Sequence, residues 1–345
     1  MHLNVAAANA LEWLALKLNL VPLPLIHTQL MPLLSQAVLE VNQIGLFDYL
    51  EQQPRTGAEL SQLTNTNTNA LEQILGLLAS GGYLRIHRNK YRLTAMARKF
   101  CLRSSPYSLF HQQQFNHACQ LRWQEHLGQY LKTGQGLESH HTFTSEEWKL
   151  YQQGMNTLPP KLIAQMVAPL PLPDDARTML DIGGAHGQYA QAFADRLPGL
   201  QVTVLDLPEA LALAPAGRAT STAITYLGGN ALTYNYPLHQ YDIIFISNLL
   251  HHFDLDTAAT LCMRAKRGLK PGGIFIIQEF LKPSSLKPDF AAAALDLYFS
   301  LTSSAGCYTL ADLLYFIQSS GCVNPKHRKV WQMPGLVQIW GKAPI

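Results

Sequence analysis

From residue 177 onward, short runs rich in valine and isoleucine alternate with helical patterns, and this alternation strongly constrains the fold. Runs of this length and composition are typical of strands buried on both faces of a parallel sheet. The segments between them, such as 186–197 and 256–269, have the apolar spacing of helices. The sequence therefore predicts a doubly wound α/β domain that ends in a hairpin of strands near 322–331 and 335–342. The five predicted parallel strands are TMLDIG, QVTVLDL, AITYLGG, YDIIFIS and GGIFIIQEF.

The first of these strands ends in a glycine-rich turn, MLDIGGAHGQYA at residues 179–190. Glycines after a strand let a ligand approach the backbone and expose N–H groups at the start of the next helix. The dinucleotide pattern G-x-G-x-x-G is absent from this turn, and what remains is Asp181 followed by Gly183, Gly184, Ala185 and Gly187. The turn indicates a nucleotide-like ligand, and a tight strand-to-helix turn without a ligand stays open as the alternative.

The later strands also end in polar side chains. Asp206 ends the second strand, where a carboxylate can accept both hydroxyls of a ribose, and Asn230 ends the third, where it could hydrogen-bond an adenine edge. His251 and His252 follow the fourth strand, and Glu279 ends the fifth. Each of these residues alone has a plain structural explanation, such as a helix cap or a surface polar group. Parallel sheets bind ligands at the carboxyl ends of their strands, so five polar strand ends together favour a ligand site.

Residues 31–105 read as three helices followed by the two-stranded wing YLRIHRNKYRLT, which is the pattern of a winged helix. The helix over 67–80 would be the one to read DNA, but its start offers Asn67, Asn69, Glu72 and Gln73 and no lysine or arginine to neutralise phosphate. The sequence therefore favours a structural or dimerising role and no nucleic-acid partner.

The first 34 residues are strongly apolar, but Glu12, Lys17, Asn19 and Pro22 interrupt them. A membrane span needs about 20 uninterrupted apolar residues, and a signal peptide needs a preceding basic segment, so neither is predicted. A large apolar surface usually marks an interface. We therefore expect residues 1–45 to form an arm that crosses to a second copy of the chain in a homodimer.

Composition sets the remaining bounds. A chain of 345 residues with 48% apolar and 14% charged residues is long enough for two domains with sizeable cores. The net charge of +3 is too small to indicate a polyanionic partner. Five widely spaced cysteines without a C-x-x-C pair predict reduced thiols in a cytoplasmic protein. The linker PLPLPDD at 169–175 helps to divide the chain into three predicted parts. These are a helical, winged-helix domain at 1–105, a helical connector at 106–168 that contributes to the substrate pocket, and the α/β domain at 169–345.

The chain resembles the S-adenosylmethionine-dependent O-methyltransferases of the caffeic-acid and hydroxyindole type. Five features carry this resemblance: the run from Asp181 to Gly187, the Asp206-Leu207-Pro208 step, Gly229-Asn230, the His251 segment and the winged helix. The resemblance implies a Rossmann-like domain with a mostly parallel seven-stranded sheet, S-adenosylmethionine as cofactor, no metal, a small ring-bearing acceptor, and an N-terminal, mainly helical winged-helix domain for dimerisation. The cofactor-binding residues that it implies are Asp181, Gly183, Gly184, Gly187, Asp206, Leu207, Gly229, Asn230, Ala231, Ser247 and Asn248.

The resemblance also implies that His251 is the general base and that Glu279 orients it. A phenol with a pKa of about 10 must lose its proton to attack a sulfonium methyl, and an imidazole is a suitable base at neutral pH. The family's helix that lines cofactor and acceptor is matched by Tyr151 to Met155. The implied acceptor-binding residues are Tyr151, Met155, His252, Tyr298 and Phe299, with Phe115 and Trp123 as further candidates, although core packing explains any one of them equally well.

Three features depart from the plant members of that family. His252-Phe253 replaces Asp-Trp after the base, Ser247 replaces a lysine, and Cys307 replaces a second glutamate beside the base. A thiol cannot orient an imidazole as a carboxylate does. Methylation of carbon or nitrogen, or a non-methylating reaction on the same fold, therefore stays open as an alternative, and a DNA-binding regulator with a vestigial cofactor site is a third possibility.

Overall fold

The computed structural model describes residues 5–212, 221–284 and 289–345, and the chain divides into two compact units at Ala118 and Cys119. The predicted connector at 106–168 is not a separate unit in this division. The first four residues of the predicted arm lie outside the described ranges. Within those ranges, no helix is both long enough and apolar enough to cross a membrane.

The N-terminal unit is built of short helices around the wing. The wing strands pair antiparallel and are joined through Arg88 and Asn89, both with positive φ, as a tight two-residue hairpin requires. Its elements are α1 (Ala10–Lys17), α2 (Leu23–Leu25), a π-helical turn (Ile26–Leu30), α3 (Met31–Gln43), α4 (Leu46–Tyr49), α5 (Gly57–Thr64), α6 (Thr68–Ser80), β1 (Leu84–His87), β2 (Lys90–Leu93), α7 (Ala95–Phe100) and the start of α8 (Phe110–Thr133).

Helix α6 shows why this sequence folds as it does. The Asn67 side chain accepts a hydrogen bond from the Ala70 N–H and so caps the helix start. Leu71, Leu75 and Leu78 recur at helical spacing on one face and are buried in the core of the unit. The predicted helices and wing are thus confirmed.

The C-terminal unit contains a seven-stranded sheet in the order β5-β4-β3-β6-β7-β9-β8, in which β9 alone runs antiparallel to the other strands, and this is the predicted doubly wound fold. Its strands are β3 (Thr178–Ile182), β4 (Gln201–Asp206), β5 (Ile224–Gly228), β6 (Tyr241–Ser247), β7 (Leu269–Phe280), β8 (Val323–Lys329) and β9 (Leu336–Lys342). Its helices are α9 (Ser139–Thr142), α10 (Ser145–Met155), α11 (Pro160–Val167), α12 (Gln188–Arg196), α13 (Pro208–Ala212), a 3₁₀ turn (Leu250–His252), α14 (Leu255–Lys266), α15 (Phe290–Thr302) and α16 (Leu310–Ser319).

Helices cover both faces of this sheet. One core packs α11 and α12 against one face, and a second packs α14 and α16 against the other. Because β3 lies between β4 and β6, the strand order reverses there, and such a switch point opens a crevice at the carboxyl ends of the strands. Asp181, Asp206 and Glu279 lie at or near this edge.

Candidate functional site

The turn after β3 has the backbone that its glycines predict. Gly183, Ala185 and Gly187 all have positive φ, and the helix α12 starts directly after them. A Cβ on Gly184 would lie 2.5 Å from Oδ2 of Asp181, so a larger residue could not fit. Because Gly184 has no side chain, the turn can pack closely against the Asp181 carboxyl.

Asp181 is a buried acid that lacks a full set of partners. Its side chain is 1% exposed, and among the described residues its Oδ2 has no hydrogen-bond partner. Burial, with the nearby negative charge of Asp206 added, raises the pKa of the Asp181 carboxyl to about 8. Such an oxygen can accept a hydrogen bond from a bound cation.

Asp206, at the end of β4, ties its strand to the glycine turn. Its Oδ2 accepts the N–H of Ala185 and its Oδ1 accepts the N–H of Leu207, each at 2.7 Å. Burial raises the pKa of Asp206, and these two hydrogen bonds oppose that shift. Each carboxylate oxygen has a second lone pair, so the side chain can still accept two ligand hydroxyls.

The turn after β5 lies beside Asp206, because the Gly229 N–H donates to the Asp206 carbonyl at 2.8 Å. Asn230 is exposed, and its Oδ1 accepts the Leu232 N–H at 2.9 Å. The amide nitrogen of Asn230 is the donor of this side chain. Ala231 packs against the core on the α14 face.

His251 and Glu279 form a buried dyad. Nδ1 of His251 lies 2.9 Å from Oε2 of Glu279, and the two residues are 3% and 1% exposed. Oε1 of Glu279 accepts the backbone N–H groups of Leu249 and Leu250 at 2.8 and 2.7 Å. With Nδ1 donating to a carboxylate that is itself fixed, the imidazole presents an unprotonated Nε2 as acceptor.

Aromatic rings surround this imidazole. Phe299 stacks on His251 at 3.9 Å between ring centroids, His252 lies 4.3 Å away, and Tyr298 follows behind Phe299 at 5.5 Å. Trp123 meets the Tyr298 ring edge-on at 5.0 Å. The predicted residues Tyr298, Phe299 and His252 are therefore brought together at the dyad.

His252 is held by residues that the sequence did not single out. Its Nδ1 lies 2.6 Å from Oγ of Ser303, and its ring meets that of His140 edge-on at 4.5 Å. Burial lowers the pKa of His252 well below its usual value, and the charges of His251 and His140 lower it further. His252 is therefore a neutral imidazole beside the dyad.

Tyr151 connects this aromatic group to the cofactor edge. Its ring lies 4.8 Å from that of His140, and burial raises the pKa of its hydroxyl, with the charges of Tyr298 and Asp206 adding to the shift. Met155, at the end of α10, is about one-third exposed, and its backbone is hydrogen-bonded by His186 of the glycine turn. Burial lowers the pKa of His186 to about 4, so it is neutral.

Several contributors were missed because they are distant in sequence or carry no motif. His140 and Ser303 belong to segments with no strand or glycine signal, and His186 was considered only as a break in the glycine pattern. Cys307 is buried near Glu279, and burial raises the pKa of its thiol to about 12. Its N–H donates to Oδ1 of Asp296 at 2.8 Å.

Phe115 is buried in the N-terminal unit, and its role toward an acceptor stays a prediction. Among the described residues, no group of three or more His, Cys, Asp or Glu side chains could hold a metal ion.

Comparison with known proteins identifies the family. The model of the O-methyltransferase domain matches residues 120–308, and that of the O-methyltransferase dimerisation domain matches residues 26–103. The chain belongs to the O-methyltransferase family.

Solved structures share this family's fold. Human N-acetylserotonin methyltransferase, solved in complex with S-adenosylmethionine, has a TM-score of 0.82 and 17% identity over 99% of this chain and 100% of that one. An O-methyltransferase family protein from Burkholderia thailandensis has a TM-score of 0.78 and 19% identity over 98% and 99% of the two chains. At these identities the likeness establishes the fold alone.

Curated relatives match over shorter stretches of their own length. A human protein named "probable bifunctional dTTP/UTP pyrophosphatase/methyltransferase" is 26% identical over 72% of this chain and 42% of its own length. The rice acetylserotonin O-methyltransferase 2 is 34% identical over 30% of this chain and 27% of its own. The tetracenomycin 8-O-methyltransferase of Streptomyces glaucescens is 29% identical over 42% of this chain and 43% of its own. The match thus spans less than half of each of these relatives.

Proposed function

We propose that this member of the O-methyltransferase family transfers a methyl group from S-adenosylmethionine to a hydroxyl of a small aromatic acceptor, with His251 as the general base. The observation that carries the proposal is the buried dyad, in which Glu279 is fixed by two backbone N–H groups and in turn fixes Nδ1 of His251. An imidazole held in this way can take a proton at Nε2.

The residues at the strand ends fit the cofactor. The Oδ2 of Asp181, which has no hydrogen-bond partner among the described residues, can accept a hydrogen bond from the ammonium group of the methionine part. Asp206 retains acceptor capacity for the ribose hydroxyls, and the Asn230 amide nitrogen can donate to the adenine. When bound, this cofactor supplies an electrophilic methyl group.

The surroundings of His251 fit a flat acceptor. The Phe299 and His252 rings contact the His251 ring, Tyr298 contacts Phe299, and Tyr151 and His140 continue this set of rings. Such rings can hold an aromatic acceptor so that its hydroxyl meets Nε2 while it faces the methyl group, which is a positioning task. Relatives named for acetylserotonin, chavicol, eugenol and tetracenomycin support an aromatic acceptor.

The proposed assembly is a homodimer through the N-terminal unit. Several large apolar side chains of the N-terminal segment are exposed in the single chain, among them Leu11 at 80%, Leu20 at 70% and Trp13 at 56%. The dimerisation-domain model matches residues 26–103, which follow these side chains directly, and it supports assembly through the N-terminal unit. All five cysteines are buried free thiols, which supports the cytoplasm as the working compartment.

The proposed function is tested by incubating the purified protein with methyl-labelled S-adenosylmethionine and a panel of phenols, followed by mass spectrometry and NMR of the product. We expect the label on oxygen. In parallel, calorimetry should give a S-adenosylhomocysteine affinity that is about 10- to 100-fold weaker for Asp206→Ala than for the wild type, because hydrogen bonds to a charged group are lost. A label on carbon or nitrogen, or an unchanged affinity, would refute the respective part of the proposal.

A further inference from the structure

A row of polar side chains crosses three strands on the face of the sheet that α11 and α12 cover. Ser247 of β6 is in register with Gln278 of β7, which is in register with Gln338 of β9. Gln278 and Gln338 are both 0% exposed. Burying two amides in a sheet core costs free energy unless hydrogen bonds compensate, and hydrogen bonds link Gln338 to Gln278 and Gln278 to Ser247. Among the described residues, Gln338 Oε1 has no partner.

The hydrogen bonds of this row run in one direction. Gln338 Nε2 donates to the Met166 carbonyl at 3.2 Å and to Oε1 of Gln278 at 2.7 Å. Gln278 Nε2 then donates to the hydroxyls of Tyr189 and Ser247 at 2.7 and 2.9 Å. Both hydroxyl oxygens are therefore acceptors toward Gln278, and both of their own hydrogens must be placed elsewhere.

Of the two hydroxyl hydrogens, that of Ser247 has a good acceptor and that of Tyr189 does not. Ser247 Oγ also accepts from the Asn248 amide at 3.4 Å, so its own hydrogen is free for the Tyr189 oxygen, with which it is hydrogen-bonded. The Tyr189 oxygen then accepts twice and must donate its hydrogen outward. Among the described residues, the only acceptor left for it is the Met166 sulfur at 4.0 Å, which is a weak one.

This unused donor lies close to the unused acceptor of Asp181. The Tyr189 ring is 5.3 Å from that of Phe245, the residue in register with Asp181, and the Tyr189 hydroxyl is hydrogen-bonded to Ser247, two residues further along the same strand. An acceptor and a donor at neighbouring positions are complementary to the ammonium and carboxylate groups of one α-amino acid.

We propose that the Tyr189 hydroxyl, oriented by Gln278 and Ser247, binds the carboxylate of the cofactor's methionine part while Asp181 binds its ammonium. The inference rests on the proposed function, because it assigns a binding group to that same cofactor. Tyr189 is thus a specificity residue for a methyl donor that carries an intact amino acid, and Gln278 and Gln338 are positioning residues behind it.

The test compares two ligands that differ only in this carboxylate: S-adenosylhomocysteine and its decarboxylated analogue. Calorimetry should give a dissociation constant for S-adenosylhomocysteine that is about tenfold or more higher for Tyr189→Phe than for the wild type, while the analogue binds both proteins equally. Tyr91→Phe is the matched control, because it removes another buried hydroxyl, bonded to Glu72 in the N-terminal unit, and should change neither affinity.

Equal losses for both ligands in Tyr189→Phe would mean a structural role and would overturn the inference, as would no loss at all. Ser247→Ala provides a second variant if Tyr189→Phe does not fold. It should also weaken binding of S-adenosylhomocysteine more than binding of the decarboxylated analogue, by a smaller factor than Tyr189→Phe. If the wild type binds S-adenosylhomocysteine but Tyr189→Phe shows equal losses or none, only the role of Tyr189 is refuted and the proposed cofactor stands. If the wild type binds neither ligand, the proposed cofactor is wrong and the inference falls with it.

Discussion

Nδ1 of His251 lies 2.9 Å from Oε2 of Glu279, and the opposite oxygen of Glu279 is bound by the backbone of Leu249 and Leu250. The carboxylate thus joins the end of β7 to the 3₁₀ turn that carries the histidine. This contact fixes both the position and the tautomer of the imidazole, and the first prediction concerns its loss.

Glu279→Gln should lower kcat by about tenfold, less than loss of the histidine, because the imidazole remains but the support for its protonated form is weaker. The affinity for S-adenosylhomocysteine should stay within about twofold of wild type, since Glu279 is not among the proposed cofactor residues. Steady-state kinetics together with calorimetry check both values. Glu146→Gln, at an exposed glutamate of α10, is the control and should leave both values unchanged.

Asp181 predicts that cofactor affinity depends on pH. Its pKa is raised to about 8, so the free protein holds it protonated below that pH, whereas an ammonium group bound to it favours the carboxylate. The affinity for S-adenosylhomocysteine should therefore rise by up to about tenfold per pH unit between pH 6 and pH 8 and level off above. Calorimetry across this range measures the slope, and a flat profile in the wild type would contradict the assignment. Asp181→Asn should bind more weakly and show no slope.

The His140 and His252 pair predicts an effect on the acceptor. The two rings meet edge-on beside the dyad, so His140→Ala removes part of the support for His252. We expect KM for the acceptor to rise about 3- to 10-fold while KM for S-adenosylmethionine stays unchanged, which corresponds to the loss of one aromatic contact of about 1 kcal/mol. His252→Ala should be more damaging than His140→Ala but milder than loss of His251. His327→Ala, on the exposed edge strand β8, is the control. Equal rises in both KM values would point to a general loss of structure.

The exposed N-terminal segment predicts the state of assembly. Light scattering at micromolar concentration should give the mass of a dimer, because a chain that leaves Leu11, Trp13 and Leu20 in water is expected to bury them against a partner. A chain that begins at residue 30 should dissociate or lose activity. A full-length monomer would refute the dimer, and a truncated chain that remains dimeric and active would refute the role of the arm.

The strand ends could be predicted from sequence because the pattern of a parallel sheet determines where each strand stops, and polar residues at those stops share one edge. Asp181, Asp206 and Glu279 lie at that edge for this reason. Tyr189 and His140 could not be found in this way. Their partners, Gln278 and His252, are 89 and 112 positions away, so the contacts depend on how the helices α12 and α9 pack in the folded unit.

The order of polar residues within β7 shows the same limit. Gln278 and Glu279 are adjacent, so strand alternation sends their side chains to opposite faces of the sheet. Strand alternation alone does not show that the face of Glu279 holds His251 and the face of Gln278 holds Tyr189. That distinction comes from the helix and the turn that cover each face.

The most direct test of the account is the single-turnover rate of methyl transfer by His251→Ala with bound cofactor at neutral pH. Removal of a general base typically costs about 10²- to 10⁴-fold, and we expect a loss in this range for every phenolic acceptor, with S-adenosylhomocysteine affinity near wild type. If the variant keeps most of its rate across several acceptors, His251 is not the base, and methylation of carbon or a non-methylating reaction becomes the better explanation of this site.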